Sequence, residues 1–148
     1  DGTATVFRSK PNTQVDNFAT DGTNLYWTEG HGGAPGDEHQ TTTELWFAPY
    51  TADAGTLGAT AKPIADVSGA YATGHVAFGG YYAVQVDYDK AWVVRASDGA
   101  RQMMLAGAGR WYGSVVYVSG TELWAVMADS NGNIGGVALQ RQTLAPWP

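Results

Sequence analysis

The chain has 148 residues and a net charge of −6, and its 44% hydrophobic content excludes an intrinsically disordered protein and indicates a packed globular domain. Only eight Lys and Arg residues are present, too few for a surface that binds nucleic-acid phosphates, and no apolar run approaches the length of a membrane span. The absence of Cys excludes disulfides, thiolate metal sites and a Cys nucleophile.

The predicted elements are short strands joined by Gly-rich turns, beginning with a strand at residues 4–8 that has no hairpin of its own. Three hairpins follow, each with a Gly-containing turn between two β-rich runs, at residues 16–28, 74–86 and 113–126. A third strand follows each hairpin, at residues 44–48, 90–95 and 134–139. A shorter fourth strand follows at residues 62–65, 102–105 and 142–145. No segment has a sustained helical period.

The hairpins start at Asp16, Gly74 and Gly113, which gives spacings of 58 and 39 residues. An insertion at residues 30–43 and a looser stretch at residues 51–60 account for the longer first spacing, and the second spacing is close to the roughly 40–45 residues of a β-propeller blade. The prediction is therefore one all-β domain of about three four-stranded antiparallel blades, a partial propeller. The blades are expected at residues 16–66, 67–107 and 108–148, with residues 1–15 supplying the outer strand of a neighbouring blade. A sandwich or barrel of about twelve short strands is the alternative.

Three blades are too few to close a propeller, which carries four to eight. The unpaired sheet edges that remain invite association. Either the chain is one part of a longer propeller, or two chains assemble into a six-bladed ring. The predicted partner is thus a second chain, or further blades, that closes the ring.

The first hairpin carries a recognisable motif, with Asp21 and Gly22 in the turn and Leu-Tyr-Trp-Thr-Glu at residues 25–29. It resembles the Tyr-Trp-Thr-Asp signature of six-bladed propellers in low-density-lipoprotein-receptor-type ectodomains, and equally bacterial secreted propellers. Only the first of the three repeats has this motif. The resemblance implies six blades, an extracellular, secreted or periplasmic location, and a binding role.

Candidate binding residues lie in loops that emerge on one face of a propeller, namely those after each second strand and those between blades. They are His31, Asp37, Glu38, His39, Tyr71, His75, Asp87, Asp89, Arg110, Trp111 and Tyr112. The inserted loop holds two of the three His beside carboxylates, a combination that suits a divalent metal, with a solvated flexible loop as the alternative. Trp111 and Tyr112 are predicted to lie in an interblade loop, whereas Trp27, Trp46, Trp92 and Trp124 fall in strands and are expected to pack between blades.

Two further patterns involve carboxylates. Asp129, Asn131 and Asn133 alternate as calcium ligands do, but Ile134 replaces the usual Gly and no Glu closes the loop, so an ordinary turn is the alternative. Asp87 and Asp89 would point to the same side of an extended strand, as a like-charge pair or as part of a polar loop. No cofactor other than calcium is expected.

These observations favour a noncatalytic extracellular recognition or scaffolding module whose loops bind a protein or a glycan. The sequence contains no Gly-x-Ser-x-Gly elbow, phosphate-binding loop or dinucleotide fingerprint. The alternatives are a lectin-like or a carbohydrate- or peptide-cleaving propeller that uses carboxylates or a metal, and an assembly role for the unpaired edges. Neither nucleic-acid binding nor membrane insertion is expected.

Overall fold

Antiparallel sheets make up most of the described chain, which comprises residues 13–31, 42–51, 53–68, 75–87, 89–106, 110–129 and 137–147 of a computed structural model. Three sheets and one short helix are present in these ranges, and the sheets do not close into a barrel. The predicted all-β class is confirmed. In each sheet the strands are ordered as they occur in the chain.

The first sheet has the strand order β1-β2-β3-β4. Its strands are β1 (Thr13–Thr20), β2 (Asn24–His31), β3 (Thr42–Pro49) and β4 (Lys62–Asp66). The strand β1 starts before the predicted hairpin, so residues 13–15 belong to this sheet and not to a neighbouring unit. A bulge interrupts β1 between Asp16 and Ala19, where Asn17 has a φ of 58°.

A helix that the sequence analysis missed, α1 (Ala54–Thr60), lies between β3 and β4. The carboxylate of Asp53 caps it by accepting a hydrogen bond of 2.6 Å from the backbone N–H of Thr56. Leu57 is its buried apolar residue and packs on the first sheet. Because the helix has about two turns and a single buried large residue, its sequence contains no apolar repeat to detect.

The second sheet repeats the same order with β5 (His75–Phe78), β6 (Tyr81–Asp87), β7 (Lys90–Arg95) and β8 (Arg101–Leu105). Gly79 and Gly80 form the two-residue turn between β5 and β6, with φ values of 56° and 84°. Two successive positive φ angles match the tight hairpin turn that follows the natural twist of paired strands, and glycine adopts them without steric cost.

The third sheet has three strands within the described residues, in the order β9-β10-β11. They are β9 (Arg110–Val118), β10 (Glu122–Asp129) and β11 (Val137–Thr143). The separate fourth strand expected at residues 142–145 is not formed, since Gln142 and Thr143 complete β11. Leu144 is instead buried, and the carbonyl of Ala145 accepts a hydrogen bond from Gln102 of the second sheet. After β11 the chain therefore runs against the second sheet.

The second sheet lies between the other two, because successive residues of a strand face opposite sides. From β6, Tyr82 and Val84 pack against the first sheet, where the rings of Tyr82 and Tyr26 stack with centroids 5.9 Å apart. Ala83 lies on the other face and packs against Leu123 of the third sheet. The core therefore has one apolar layer on each side of the second sheet, and a third layer lies between the first sheet and α1.

Equivalent parts of the three sheets lie side by side. The first strands β1, β5 and β9 are neighbours. The hairpin turns that follow them also meet, since Gly80 N–H donates to Asp21 Oδ2 over 3.2 Å and Gly120 lies against the Tyr81 hydroxyl. We call this the hairpin end. The opposite end, where β2, β6 and β10 finish and β5 and β9 begin, is the loop end.

Candidate functional site

Six of the predicted binding or metal-ligating residues occupy the loop end, including Asp89 in the turn after β6. His31, Asp87 and Asp129 end the second strands of their sheets, and His75 and Arg110 begin first strands. Because the three hairpin ends are in contact, the loop ends of all three sheets lie on the same side of the molecule. Asp129 and Arg110 are also direct register partners on β10 and β9, which places an acidic and a basic residue on neighbouring strand ends.

Trp111 and Tyr112 are not in an interblade loop, as the sequence analysis expected. They lie in β9, where they pair with Ala128 and Met127. The sequence analysis placed them in a loop because it took Gly113 as the start of the strand. Gly113 has no register partner at the bulge between the pairs of Tyr112 and Ser114, so it is an interior glycine of a longer strand.

The Asp87 and Asp89 pair is divided between a strand end and a turn. Asp87 is the register partner of Lys90, while Asp89 lies in the turn just before that lysine. The Asp89 carboxylate is half-exposed, and its Oδ1 is 3.9 Å from Lys90 Nζ. Lys90 therefore offsets part of the negative charge expected at this position.

The remaining predicted residues, Asp37, Glu38, His39, Tyr71, Asn131 and Asn133, lie outside the described residues. In the described ranges, no three His, Asp or Glu side chains are close enough together to hold a metal ion. Metal binding by the inserted loop and calcium binding by the Asp129 segment thus stay predictions.

A group of glutamates and indoles on the first sheet was missed by the sequence analysis. Glu29 and Glu44 are direct register partners on β2 and β3, so their side chains share one face of the sheet. Trp27 Nε1–H donates to Glu29 over 3.0 Å, and Trp46 Nε1–H donates to Glu44 over 3.2 Å. This face points away from the second sheet and carries Leu57 of α1.

His31 extends this group toward solvent. Its Nε2 is 3.6 Å from Glu44 Oε2, and its Nδ1 is 3.3 Å from the Thr13 hydroxyl. Glu29 is fully buried, whereas His31 and Glu44 are about one-third exposed. The arrangement offers one half-exposed carboxylate beside an imidazole, a pair that accepts and donates hydrogen bonds at the edge of the loop end.

A spacing of two residues between Trp and Glu is the sequence signal for such pairs, because it places the indole and the carboxylate on one face of a strand. The same spacing recurs on the third sheet, where Trp124 Nε1–H donates to Glu122 over 3.3 Å. Of the four strand tryptophans, only Trp92 packs between two of the described sheets. Trp27, Trp46 and Trp124 face outward from the stack, contrary to expectation.

The Asp-Gly turn and Tyr of the first-repeat motif form a structural contact at the hairpin end. The Asp21 carboxylate accepts hydrogen bonds from the backbone of Thr23 and Asn24, from Gly80 of the second sheet, and from the Tyr26 hydroxyl over 2.8 Å. Burial raises the pKa of Asp21, but these hydrogen bonds outweigh it and lower the pKa overall. Burial and the bond to Asp21 together raise the pKa of Tyr26.

One open cleft separates β4 from the turn between β7 and β8. It has a volume of about 190 Å³ and is lined by Lys62, Pro63, Ile64, Ala96, Ser97, Asp98 and Gly99. Ligand pockets usually enclose about 300–1,000 Å³ of mainly apolar surface. This cleft is smaller and mainly polar, so the loop end is the better candidate site.

Comparison of the chain with protein-family models, curated proteins and solved structures gives no match. The resemblance of residues 25–29 to Tyr-Trp-Thr-Asp propellers therefore stays a prediction. No helix in the described parts of the chain is long and apolar enough to cross a membrane.

Proposed function

We propose that this chain is an extracellular recognition or scaffolding module, part of a β-propeller, that binds a protein or glycan through its loop end. The observation that carries the proposal is the repetition of the sheets. Three meanders stack face to face in chain order, with their first strands adjacent and their hairpin turns in contact. Blades of a propeller repeat radially in this way, and another chain or further blades would complete the ring.

The loop end suits recognition because loops held by a rigid scaffold can vary in sequence without loss of the fold. Its described side chains include accessible carboxylates at Asp89 and Glu44, with Lys90 beside the first and the imidazole of His31 beside the second. Acceptors of this kind match ligands rich in hydroxyl or amino groups. A glycan, or a protein surface that presents Lys and Ser, has that chemistry.

Binding of the purified chain to an array of glycans and extracellular proteins tests the proposal. We expect substitution of His31, Asp89 or Arg110 by Ala to weaken the captured interaction by at least about tenfold, equivalent to about 1.4 kcal/mol. Thr23→Ala, an exposed change at the hairpin end, is the control and should bind as the unsubstituted chain does. Equal binding by all four variants would place recognition elsewhere and contradict the proposal.

A second candidate, a glycoside-cleaving enzyme, is favoured by one observation, the facing pair of Glu29 and Glu44. Glycosidases use two carboxyl groups on either side of the scissile bond. Glu29 is fully buried, however, so Glu44 and His31 are the groups of this cluster that a substrate could contact. The candidate requires turnover of a glycan that Glu44→Gln abolishes, and a chain without turnover on any glycan tested removes it.

A further inference from the structure

The third sheet differs from the other two in how its second strand is buried. Five consecutive residues of β2, from Tyr26 to Gly30, are buried, and so are four of β6, from Tyr82 to Gln85. Both strands are thus covered on both faces. In β10 burial alternates instead, with Leu123, Ala125 and Met127 buried and the residues between them half-exposed. One face of the third sheet is therefore open.

This open face is not polar, as a solvent-facing side of an antiparallel sheet usually is. It carries the half-buried Trp124 and Val126 on β10 and, opposite Val126, Leu139 of β11, which is 60% exposed. Glu122 and Arg141 form its charged rim and make an ion pair of 3.4 Å. Arg141 is the register partner of Trp124, and its guanidinium lies 5.9 Å from the centre of the indole ring, so it has to swing outward for the indole to be covered by another sheet. We call these five residues the third-sheet face.

The equivalent faces in the rest of the stack are covered by another sheet. Tyr26 and Thr28 of β2 are buried where the first sheet meets the second. Ala83 and Gln85 of β6 are buried where the second sheet meets the third. The third-sheet face thus continues a series of sheet-to-sheet interfaces, and its natural occupant is another sheet.

Only one face of a second copy is suited to that contact. The outer face of the first sheet is already buried, with Trp27 and Ala48 fully covered and Leu57 of α1 packed against them. A head-to-tail contact, the kind that closes a ring of blades, would therefore pack a sheet over α1, whereas two third-sheet faces meet sheet to sheet. Such a twofold pair extends the stack of sheets and does not by itself close the ring. The third-sheet face has both a negative and a positive rim residue, so it is complementary in charge to itself across a twofold axis.

We propose that two copies of this chain pair through their third-sheet faces about a twofold axis, with Trp124, Val126 and Leu139 at the centre. In this dimer Glu122 of each copy faces Arg141 of the other. The inference deepens and rests on the proposed scaffolding role, since it identifies the chain that covers the open sheet.

Sedimentation velocity of the whole chain, from about 1 μM to about 1 mM, measures the association. We expect a reversible dimer, and we expect Leu139→Lys to weaken it by about a hundredfold because the twofold axis brings two new like charges together. The matched control is Leu105→Lys on β8, where the leucine is 59% exposed but lies outside the third-sheet face. The inference is overturned if the chain stays monomeric over the whole concentration range. It is also overturned if Leu139→Lys and Leu105→Lys weaken the dimer equally.

Charge reversal tests the twofold geometry itself. Glu122→Arg and Arg141→Glu should each abolish self-association, because every rim contact in the dimer becomes repulsive. An equimolar mixture of the two variants should restore the dimer, since each positive rim then meets a negative one. Circular dichroism of each variant alone confirms that it is folded. Failure of the mixture to associate, or a dimer insensitive to both reversals, would place the contact on another surface and overturn the inference.

The same variants separate this inference from the proposed function. Monomeric chain that still binds a glycan or protein through the loop end retains the recognition role and disproves the dimer. A chain that dimerises but binds no glycan or protein through the loop end retains the dimer and disproves the recognition role. Glycan binding lost in Trp124→Ala, with no self-association of the unsubstituted chain, would show that this face binds sugar and would overturn the inference.

Discussion

Removal of one hydroxyl, by Tyr26→Phe, should destabilise the contact between the first two sheets. The Tyr26 hydroxyl donates to Asp21 Oδ2 over 2.8 Å, and the ring itself stacks on Tyr82 and would keep that packing. A hydrogen bond to a charged group contributes about 1.5–3 kcal/mol. The low end of that range applies, because Asp21 is partly exposed and retains donors from Gly80 and its own turn. We expect a loss of about 1.5 kcal/mol in the free energy of unfolding.

Urea denaturation monitored by circular dichroism measures this loss, which corresponds to a midpoint shift of about 1 M for a chain of this size. Tyr50→Phe removes a hydroxyl from a side chain that is 64% exposed, and it should shift the midpoint little. Asp21→Asn should cost about 2–3 kcal/mol, since Gly80 N–H and Tyr26 then lose a charged acceptor. In the double variant the two losses should be less than additive by about 1 kcal/mol. Additive losses, or equal midpoint shifts for Tyr26→Phe and Tyr50→Phe, would refute the hydrogen bond between Tyr26 and Asp21.

The contact should also depend on pH. The folded chain lowers the pKa of Asp21 below its ordinary value of 3.8, so the stabilisation is complete above that value. It is lost as the pH falls below 3.8 and through the folded pKa, because the protonated carboxyl no longer attracts its donors. The difference in unfolding free energy between the unsubstituted chain and Asp21→Asn should therefore be constant well above pH 3.8 and shrink as the pH falls below it. A difference that stays constant as the pH falls below 3.8 contradicts the assignment.

Two further substitutions test the packing. Gly99→Ala should cost about 2–4 kcal/mol in urea unfolding, because a Cβ there would collide with the carbonyl oxygen of Ile64 and the residue has a φ of 73°. Gly22→Ala, with a φ of 88° but open space around it, should cost only about 1–2 kcal/mol, and equal costs would contradict the close approach of the sheets. Leu57→Ala should lower stability by about 2 kcal/mol and expose Trp27, which acrylamide quenching of tryptophan fluorescence detects. Unchanged quenching would contradict the packing of α1 on the first sheet.

Strands and tight turns were predictable because their signals are local. The third strand of the second repeat was placed at residues 90–95, as β7 is, and the pair Gly79-Gly80 marked its hairpin correctly. Contacts between turns were not predictable, since the bond from Gly80 to Asp21 joins residues 59 positions apart. Gly113 was predicted to mark the start of a strand, but it lies at a bulge inside β9.

The candidate site was predictable only as a set of strand ends. Antiparallel order places the loops after second strands at one end of every sheet, so His31, Asp87 and Asp129 could be assigned together from the sequence. The pairing of Glu29 with Glu44 could not, since it depends on the register across the inserted loop. A shift of that register by one residue would place one of the two carboxylates on the other face of the sheet.

The presence of the motif in the first repeat alone agrees with how neighbouring sheets are joined. Between the first and second sheets, the Asp21 carboxylate bridges the two hairpin turns. Between the second and third, Gly120 approaches the Tyr81 hydroxyl so closely that a Cβ would lie only 2.9 Å from it, and Trp147 packs on Tyr81 and donates to the Gly120 carbonyl. The same junction is thus made by different chemistry, so the same geometry does not require the same residues. The Asp and Tyr of the motif are thus engaged in a structural contact with a neighbouring turn at the hairpin end, which is why the proposed recognition is assigned to the loop end.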